Sequence, residues 1–81
     1  MRIKILFFAA LHDYAGVNGL ELEIPENTTV ASLKELLFKR YPEMSPVRRT
    51  IMAAINHEYA ADEQIIPSDS EIALFPPVSG G

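Results

Sequence analysis

Thr28-Thr29-Val30-Ala31-Ser32-Leu33-Lys34-Glu35-Leu36-Leu37-Phe38-Lys39-Arg40-Tyr41-Pro42 is the long stretch of this chain with helical periodicity. Val30, Leu33, Leu37 and Tyr41 recur every three to four residues, and Leu36 widens the apolar stripe. Thr28 and Thr29 offer hydroxyls to cap the start. Lys39 and Arg40 fall in the last turn, where the helix dipole favours positive charge. Pro42 disfavours helical geometry at the residue before it. The spacing predicts a helix over 30–40 with one dry face.

Everything around that helix alternates with period two. Residues 2–9 place Ile3, Ile5 and Phe7 on one face and Lys4, Leu6 and Phe8 on the other, which reads as a first strand. A short helical turn over 11–15 is closed by Gly16. Leu20, Leu22 and Ile24 alternate with Glu21 and Glu23, so a second strand has one wet face, and Pro25 ends it. Beyond the helix, 43–50 reads as loop. Residues 51–56 form a third strand, with Ile51, Ala53 and Ile55 facing one way. Asn56-His57 turns into a weak edge strand near 58–60. Residues 61–70 are loop, with Pro67-Ser68-Asp69-Ser70 as the final turn, and 71–75 is the last strand.

Two strands, one helix and two or three more strands describe an α+β domain of the β-grasp (ubiquitin-like) class. It has a mixed sheet of four to five strands, one main helix across it, and the first and last strands adjacent in the middle. Residues 1–75 are expected to form the domain and 76–81 an extended, flexible Gly-Gly tail. Alternation then generates a second expectation. If Ile3, Ile5, Phe7, Ile51, Ala53, Ile55, Ile72 and Leu74 pack under the helix, the opposite face still holds Leu6, Phe8, Met52, Ala54, Ala73 and Phe75. No second helix is at hand to cover them, and an apolar patch left on a small domain marks a partner site.

With 81 residues and 48% hydrophobic content, the chain suits one small domain with one core. It has no cysteine, which fits a reducing, cytoplasmic setting. No apolar run approaches the roughly 20 residues of a membrane span. Eleven acids against seven bases give a net charge of −4. No basic stripe follows a phosphate backbone, so nucleic acid is not expected as a partner. His12 and His57 lack metal-ligand spacing and read as surface or turn residues, so no metal site is expected. Asp62-Glu63 reads as a solvated loop pair. No nucleophile motif or phosphate-binding loop occurs, and no stand-alone active site is evident.

The remaining candidate for chemistry is the end of the sequence, Phe75-Pro76-Pro77-Val78-Ser79-Gly80-Gly81. A strand leaves the domain through two prolines and finishes on two residues without side chains. The prolines favour an extended chain, so less entropy is lost on threading it into a partner. Gly80, lacking a Cβ, passes a narrow channel. The six residues after Phe75 reach on the order of 20 Å. A carboxylate on Gly81 becomes reactive once activated as an acyl-adenylate.

Ile5-Leu6-Phe7-Phe8-Ala9, Thr29-Val30, Ala53-Ala54-Ile55-Asn56 and the run from Glu71 to Gly81 resemble the small subunits of molybdopterin synthase, a family of ubiquitin-like sulfur carriers. The resemblance spans essentially the whole chain. It implies that Gly81 is adenylated with ATP by an E1-like enzyme and converted to a thiocarboxylate by a sulfur donor protein. The tail, Pro76 to Gly80, then enters the large synthase subunit. Sulfur passes to cyclic pyranopterin monophosphate, forming the dithiolene of molybdopterin. It further implies docking through Phe75 and the outer face, a two-plus-two heterotetramer, and no cofactor bound by the small subunit itself. Three other readings stand beside it: a thiamine-pathway sulfur carrier, a protein modifier joined to targets by isopeptide bonds, and an interaction module using only the sheet surface. Relatives often carry Asp-Gly before the last strand, where this chain has Ser68-Asp69-Ser70.

Overall fold

A computed structural model describes residues 1–77. Five strands form one mixed sheet: β1 (Arg2–Phe7), β2 (Gly19–Glu23), β3 (Met52–Ile55), β4 (Glu58–Ala60) and β5 (Glu71–Phe75). They lie in the order β2-β1-β5-β3-β4. β1 and β5 run parallel, with Ile5 opposite Ile72, while the other neighbouring pairs are antiparallel. This is the expected β-grasp order, with the first and last strands side by side. Helices α1 (Ala10–Ala15) and α2 (Val30–Arg40) complete the frame.

α2 begins and ends where the periodicity places it. Thr29 is the N-cap, its Oγ1 accepting the Ser32 N–H at 3.2 Å. Val30, Leu33 and Leu37 are fully buried against Ile3, Ile5, Ile72 and Leu74 from the sheet. Each such side chain contributes about 1.5–3 kcal/mol by leaving water. All eight strand residues assigned to this core are buried.

The 43–50 segment departs from its reading as loop. Pro42–Val47 forms a 3-10 helix, started by Pro42 in the first turn. Tyr41 donates its N–H back to the Leu37 carbonyl, and the Met44 N–H donates to the Tyr41 carbonyl, so the chain tightens rather than leaving the helix. Met44 is thereby driven into the core. Leu11, Ile24 and Ile66 also enter the core from short or irregular segments.

The 61–70 loop is pinned to the start of α2. Val30 and Ala31 donate to the carbonyls of Gln64 and Asp62, and Ile66 donates to that of Thr28. Asp62 is therefore more than a solvated acid: its Oδ1 accepts from Lys34 Nζ at 2.8 Å, and the same ammonium donates to the Ile51 carbonyl at 2.9 Å. Lys34 is only 14% exposed, so this bond ties the helix, the loop and the segment entering β3 together more firmly than a fully solvated pair. In the final turn Asp69 takes φ 60, a left-handed conformation often supplied by glycine. Ser70 is buried and donates its hydroxyl to the Pro67 carbonyl at 2.6 Å.

Two backbone positions carry opposite constraints. Gly19 faces Leu6 in the ladder, and a Cβ there would stand 2.5 Å from the Ile5 carbonyl oxygen. Asn56 and His57, at φ 49 and 75, make the two-residue hairpin between β3 and β4. The second position of such a turn favours glycine. Gly19→Ala is expected to destabilise the domain by about 1–3 kcal/mol through overpacking. His57→Gly is expected to stabilise it by up to about 1 kcal/mol by relieving the left-handed penalty, net of glycine's entropy. Urea unfolding midpoints of the two variants check both signs.

Candidate functional site

The outward face of the sheet is divided into two territories. At the amino-terminal end of β1 and β5 it is charged. Arg2 lies opposite Glu23 and Lys4 opposite Glu21 on one side and Glu71 on the other. Arg2 contacts Glu21 and Glu23 at 3.3 and 3.4 Å in well-solvated pairs, whose worth is about 0–1 kcal/mol each. At the carboxyl-terminal end the same face is apolar.

Register explains the apolar half. Leu6, Ala73, Ala54 and Tyr59 form one row across β1, β5, β3 and β4. Met52 lies opposite Phe75 in the next row, and the Phe8 N–H donates to the Leu74 carbonyl at 3.0 Å, extending that row past the end of β1. The structure therefore brings Leu6, Phe8, Met52, Ala54, Ala73 and Phe75 onto one face. Phe8 is 48% exposed, and Met52 is also exposed, while Leu6, Ala73 and Phe75 are half-buried.

Ala54 is the correction within this group. It is buried, at 9% exposure, because its methyl sits between the larger neighbours Met52 and Tyr59. Its place is the floor of the patch, and the exposed apolar surface belongs to the rim. Tyr59 is the residue that sequence reading missed. At 73% exposure it is the most open large apolar side chain among the described residues. Its ring meets that of Phe75 edge-on, with centroids 5.7 Å apart. The signal was available: in a three-residue strand opposite Ala54, the middle position shares Ala54's face.

At the end of β1 the backbone turns sharply. Ala9 adopts φ 53, ψ −134, and the Leu11 N–H donates to the Phe8 carbonyl at 3.1 Å. A side chain in that region costs about 1–3 kcal/mol. The turn diverts the chain into α1 and leaves Phe8 projecting beside Phe75. α1 closes on Gly16 at φ 76, as its glycine predicts.

β5 delivers the tail from the same edge of the patch. Phe75 is followed by half-buried Pro76 and exposed Pro77. Val78, Ser79, Gly80 and Gly81, the remaining residues assigned to tail insertion and sulfur chemistry, lie outside the described residues. The rest of the surface offers little chemistry. His12 sits exposed in α1 beside Asp13, with Nδ1 to Oδ1 at 3.1 Å. His57 is exposed in its turn, 3.8 Å from the Glu71 carboxylate. Among the described residues, no group of three His, Cys, Asp or Glu could hold a metal ion. No helix among them is long and apolar enough to cross a membrane.

Comparison with known proteins agrees with this geometry. The model of the ThiS family matches residues 5–81. The molybdopterin synthase sulfur carrier subunit of Arabidopsis thaliana is 35% identical over 81 residues, covering 100% of this chain and 84% of that protein. Among solved structures, a putative molybdopterin converting factor subunit 1 from Pyrococcus furiosus superimposes with a TM-score of 0.87 at 26% identity, covering 96% of this chain and 99% of that one. SAMP1 from Haloferax volcanii, small archaeal modifier protein 1, gives 0.84 at 29% identity, covering 100% of both chains. Matched along nearly its whole length, the chain is a member of the ThiS family, in the company of the molybdopterin synthase sulfur carrier subunits.

Proposed function

We propose that this protein is the sulfur carrier subunit of a molybdopterin synthase and that its reactive group is the Gly81 carboxylate. The observation that carries the reading is 35% identity along the whole chain to a named carrier subunit, in a family match that runs through Gly80-Gly81. The fold supports it, since a central strand ends at Phe75 on the border of an apolar face and passes directly into the proline-led tail.

The chemistry follows from the weakness of a carboxylate as an electrophile. On an E1-like enzyme the Gly81 carboxylate attacks the α-phosphate of ATP, giving an acyl-adenylate and releasing pyrophosphate. Sulfide-level sulfur, supplied by a donor protein as a hydrosulfide equivalent, then attacks the acyl carbon; the bond to AMP breaks, AMP leaves and a thiocarboxylate remains. Inside the large synthase subunit that sulfur attacks a side-chain carbon of cyclic pyranopterin monophosphate, and a C–O bond to the same carbon breaks, its oxygen leaving as water or staying on the phosphate. Water cleaves the acyl–sulfur bond, regenerating the carboxylate and leaving sulfur on the pterin. ATP is consumed by the activating enzyme, in the cytoplasm where both are available. Pro76 and Pro77 keep the tail extended, while Val78 and Ser79 carry it inward. Gly80 passes the constriction.

Docking falls to the apolar rim, with Leu6, Phe8, Met52, Phe75 and Tyr59 making contact over the Ala54–Ala73 floor. The synthase would assemble as two small and two large subunits. A second reading, protein modification, draws on the likeness to SAMP1. In that reading a target's amine, instead of sulfur, attacks the Gly81 adenylate, displacing AMP and forming an isopeptide bond.

Protein produced together with its activating enzyme and sulfur donor is expected to gain the mass of one sulfur and lose that of one oxygen. The exchange must map to the C-terminal peptide, because oxidation of any one of the three methionines adds nearly the same mass. Isopeptide conjugates in place of that exchange would favour the modifier. Phe75→Ala is expected to weaken binding to the large subunit by about 1–3 kcal/mol while the fold persists, the range of an aromatic interface anchor. Calorimetric titration alongside circular dichroism checks both halves. Deleting Gly81 should abolish sulfur transfer and leave that affinity within about threefold, because most contact area lies on the sheet.

A further inference from the structure

Charge is distributed very unevenly along this acidic chain. Residues 34–49 contain five bases, Lys34, Lys39, Arg40, Arg48 and Arg49, against two acids, a net +3. The remaining positions set two bases against nine acids, a net −7. Folding concentrates part of the positive span around an open groove of about 530 Å³ beside α2, lined by Lys34, Phe38, Arg48 and Arg49 with Glu35 and Asp62 at its sides. α2 covers the inner face of the sheet, so the groove lies on the layer opposite the apolar patch.

Inside the groove the two carboxylates are already engaged. Glu35 Oε1 accepts from Arg48 Nη2, the pair standing at 2.6 Å, and Asp62 accepts from Lys34. The Arg48 guanidinium also lies 5.4 Å from the Phe38 ring centroid, held between carboxylate and aromatic face. Arg48 is thus oriented before any ligand arrives, which lowers the entropic cost of using its remaining N–H groups. Arg49 is exposed and makes no ion pair or side-chain hydrogen bond among the described residues.

We propose that this groove docks a short acidic segment of a partner protein, one or more Asp or Glu side chains reaching Arg49 and Arg48 while an apolar neighbour rests on Phe38. The volume suits a few residues. Two features select a peptide over a denser anion. Glu35 and Asp62 repel closely spaced phosphates, and the −7 balance elsewhere repels a long polyanion. The site is separate from the sulfur-carrier face, so a partner held here leaves both the apolar patch and the tail free.

The test is titration of the full, isotope-labelled chain at low salt with an acetylated Glu-Glu-Leu-Glu-Glu peptide. Amide shifts are expected to saturate and to centre on residues 31–38 and 48–49. Arg49→Glu should weaken binding about tenfold, and Arg49→Gln less; a tenfold loss corresponds to about 1.4 kcal/mol. Raising the salt should weaken it further, as the Debye length shortens. Shifts centred on Phe8 and Phe75, indifference to both Arg49 variants, or absence of binding would overturn the proposal. Tighter binding of inorganic phosphate or an oligonucleotide, or self-association giving the same shifts without peptide, would equally overturn it. Because the readout is independent of sulfur transfer, its failure leaves the carrier reading intact, and the reverse holds too.

Discussion

Parallel pairing of β1 with β5 is the contact on which the remaining architecture depends. It joins positions 4–7 to 71–74, so nearly the whole chain is closed into one loop before the pairing is rewarded. Ile5 and Ile72, opposite each other in that ladder, are fully buried, and α2 lays Leu33 and Leu37 over the same layer. The parallel sense has a consequence that an antiparallel pair would lack. Both strands end at the same side of the sheet, so Phe8, leaving β1, stands beside Phe75, leaving β5. The tail therefore departs from the border of the apolar patch and not from a remote corner.

Two-residue alternation converts that placement into a division of labour. One face of each central strand builds the core, while the other carries apolar side chains that the domain itself does not cover. Keeping Phe8, Met52 and Tyr59 in water is unfavourable for an isolated domain, a cost that burial against the proposed partner would recover. The Ala9 turn adds a further cost at the same place, holding a non-glycine residue at positive φ where β1 ends. Strain and exposed apolar surface converge on the edge from which the tail leaves, as expected where local stability yields to function. On the opposite layer, the Lys34–Asp62 bond and the Arg48–Glu35 pair fix the walls of a groove whose charge differs from that of the molecule as a whole.

Much of this was legible in the residues because local and global preferences agree. Helix α2 has a capping threonine, a clean apolar stripe and a proline stop, and its boundaries are those that its periodicity predicts. The four long strands alternate clearly enough to assign their faces, and the outer patch follows from alternation alone. What escaped is context-dependent. The 3-10 helix at Pro42–Val47 owes its form to Tyr41 bonding back to Leu37 and to Met44 finding space in the core, neither of which is written in a six-residue window with two prolines. Ala54 reads as exposed by alternation, yet small size beside Met52 and Tyr59 leaves it buried. Tyr59 reads as a weak edge residue and emerges as the open rim of the patch. The ammonium of Lys34, three residues from each of Ala31 and Leu37 on the helix, finds its partners just before β3 and in a loop, both distant in sequence.

The claim that this molecule delivers sulfur from its own last carbon is tested most directly by a single-turnover reconstitution. Chain prepared chemically with a Gly81 thiocarboxylate would be mixed with the large synthase subunit and cyclic pyranopterin monophosphate, without ATP or activating enzyme, and sulfur on the pterin counted. The account predicts one sulfur delivered per thiocarboxylated chain, after which the reaction stops and the chain is recovered as carboxylate. Sulfur appearing on the pterin from chain that carries only a carboxylate, or none appearing from the thiocarboxylate, would contradict it.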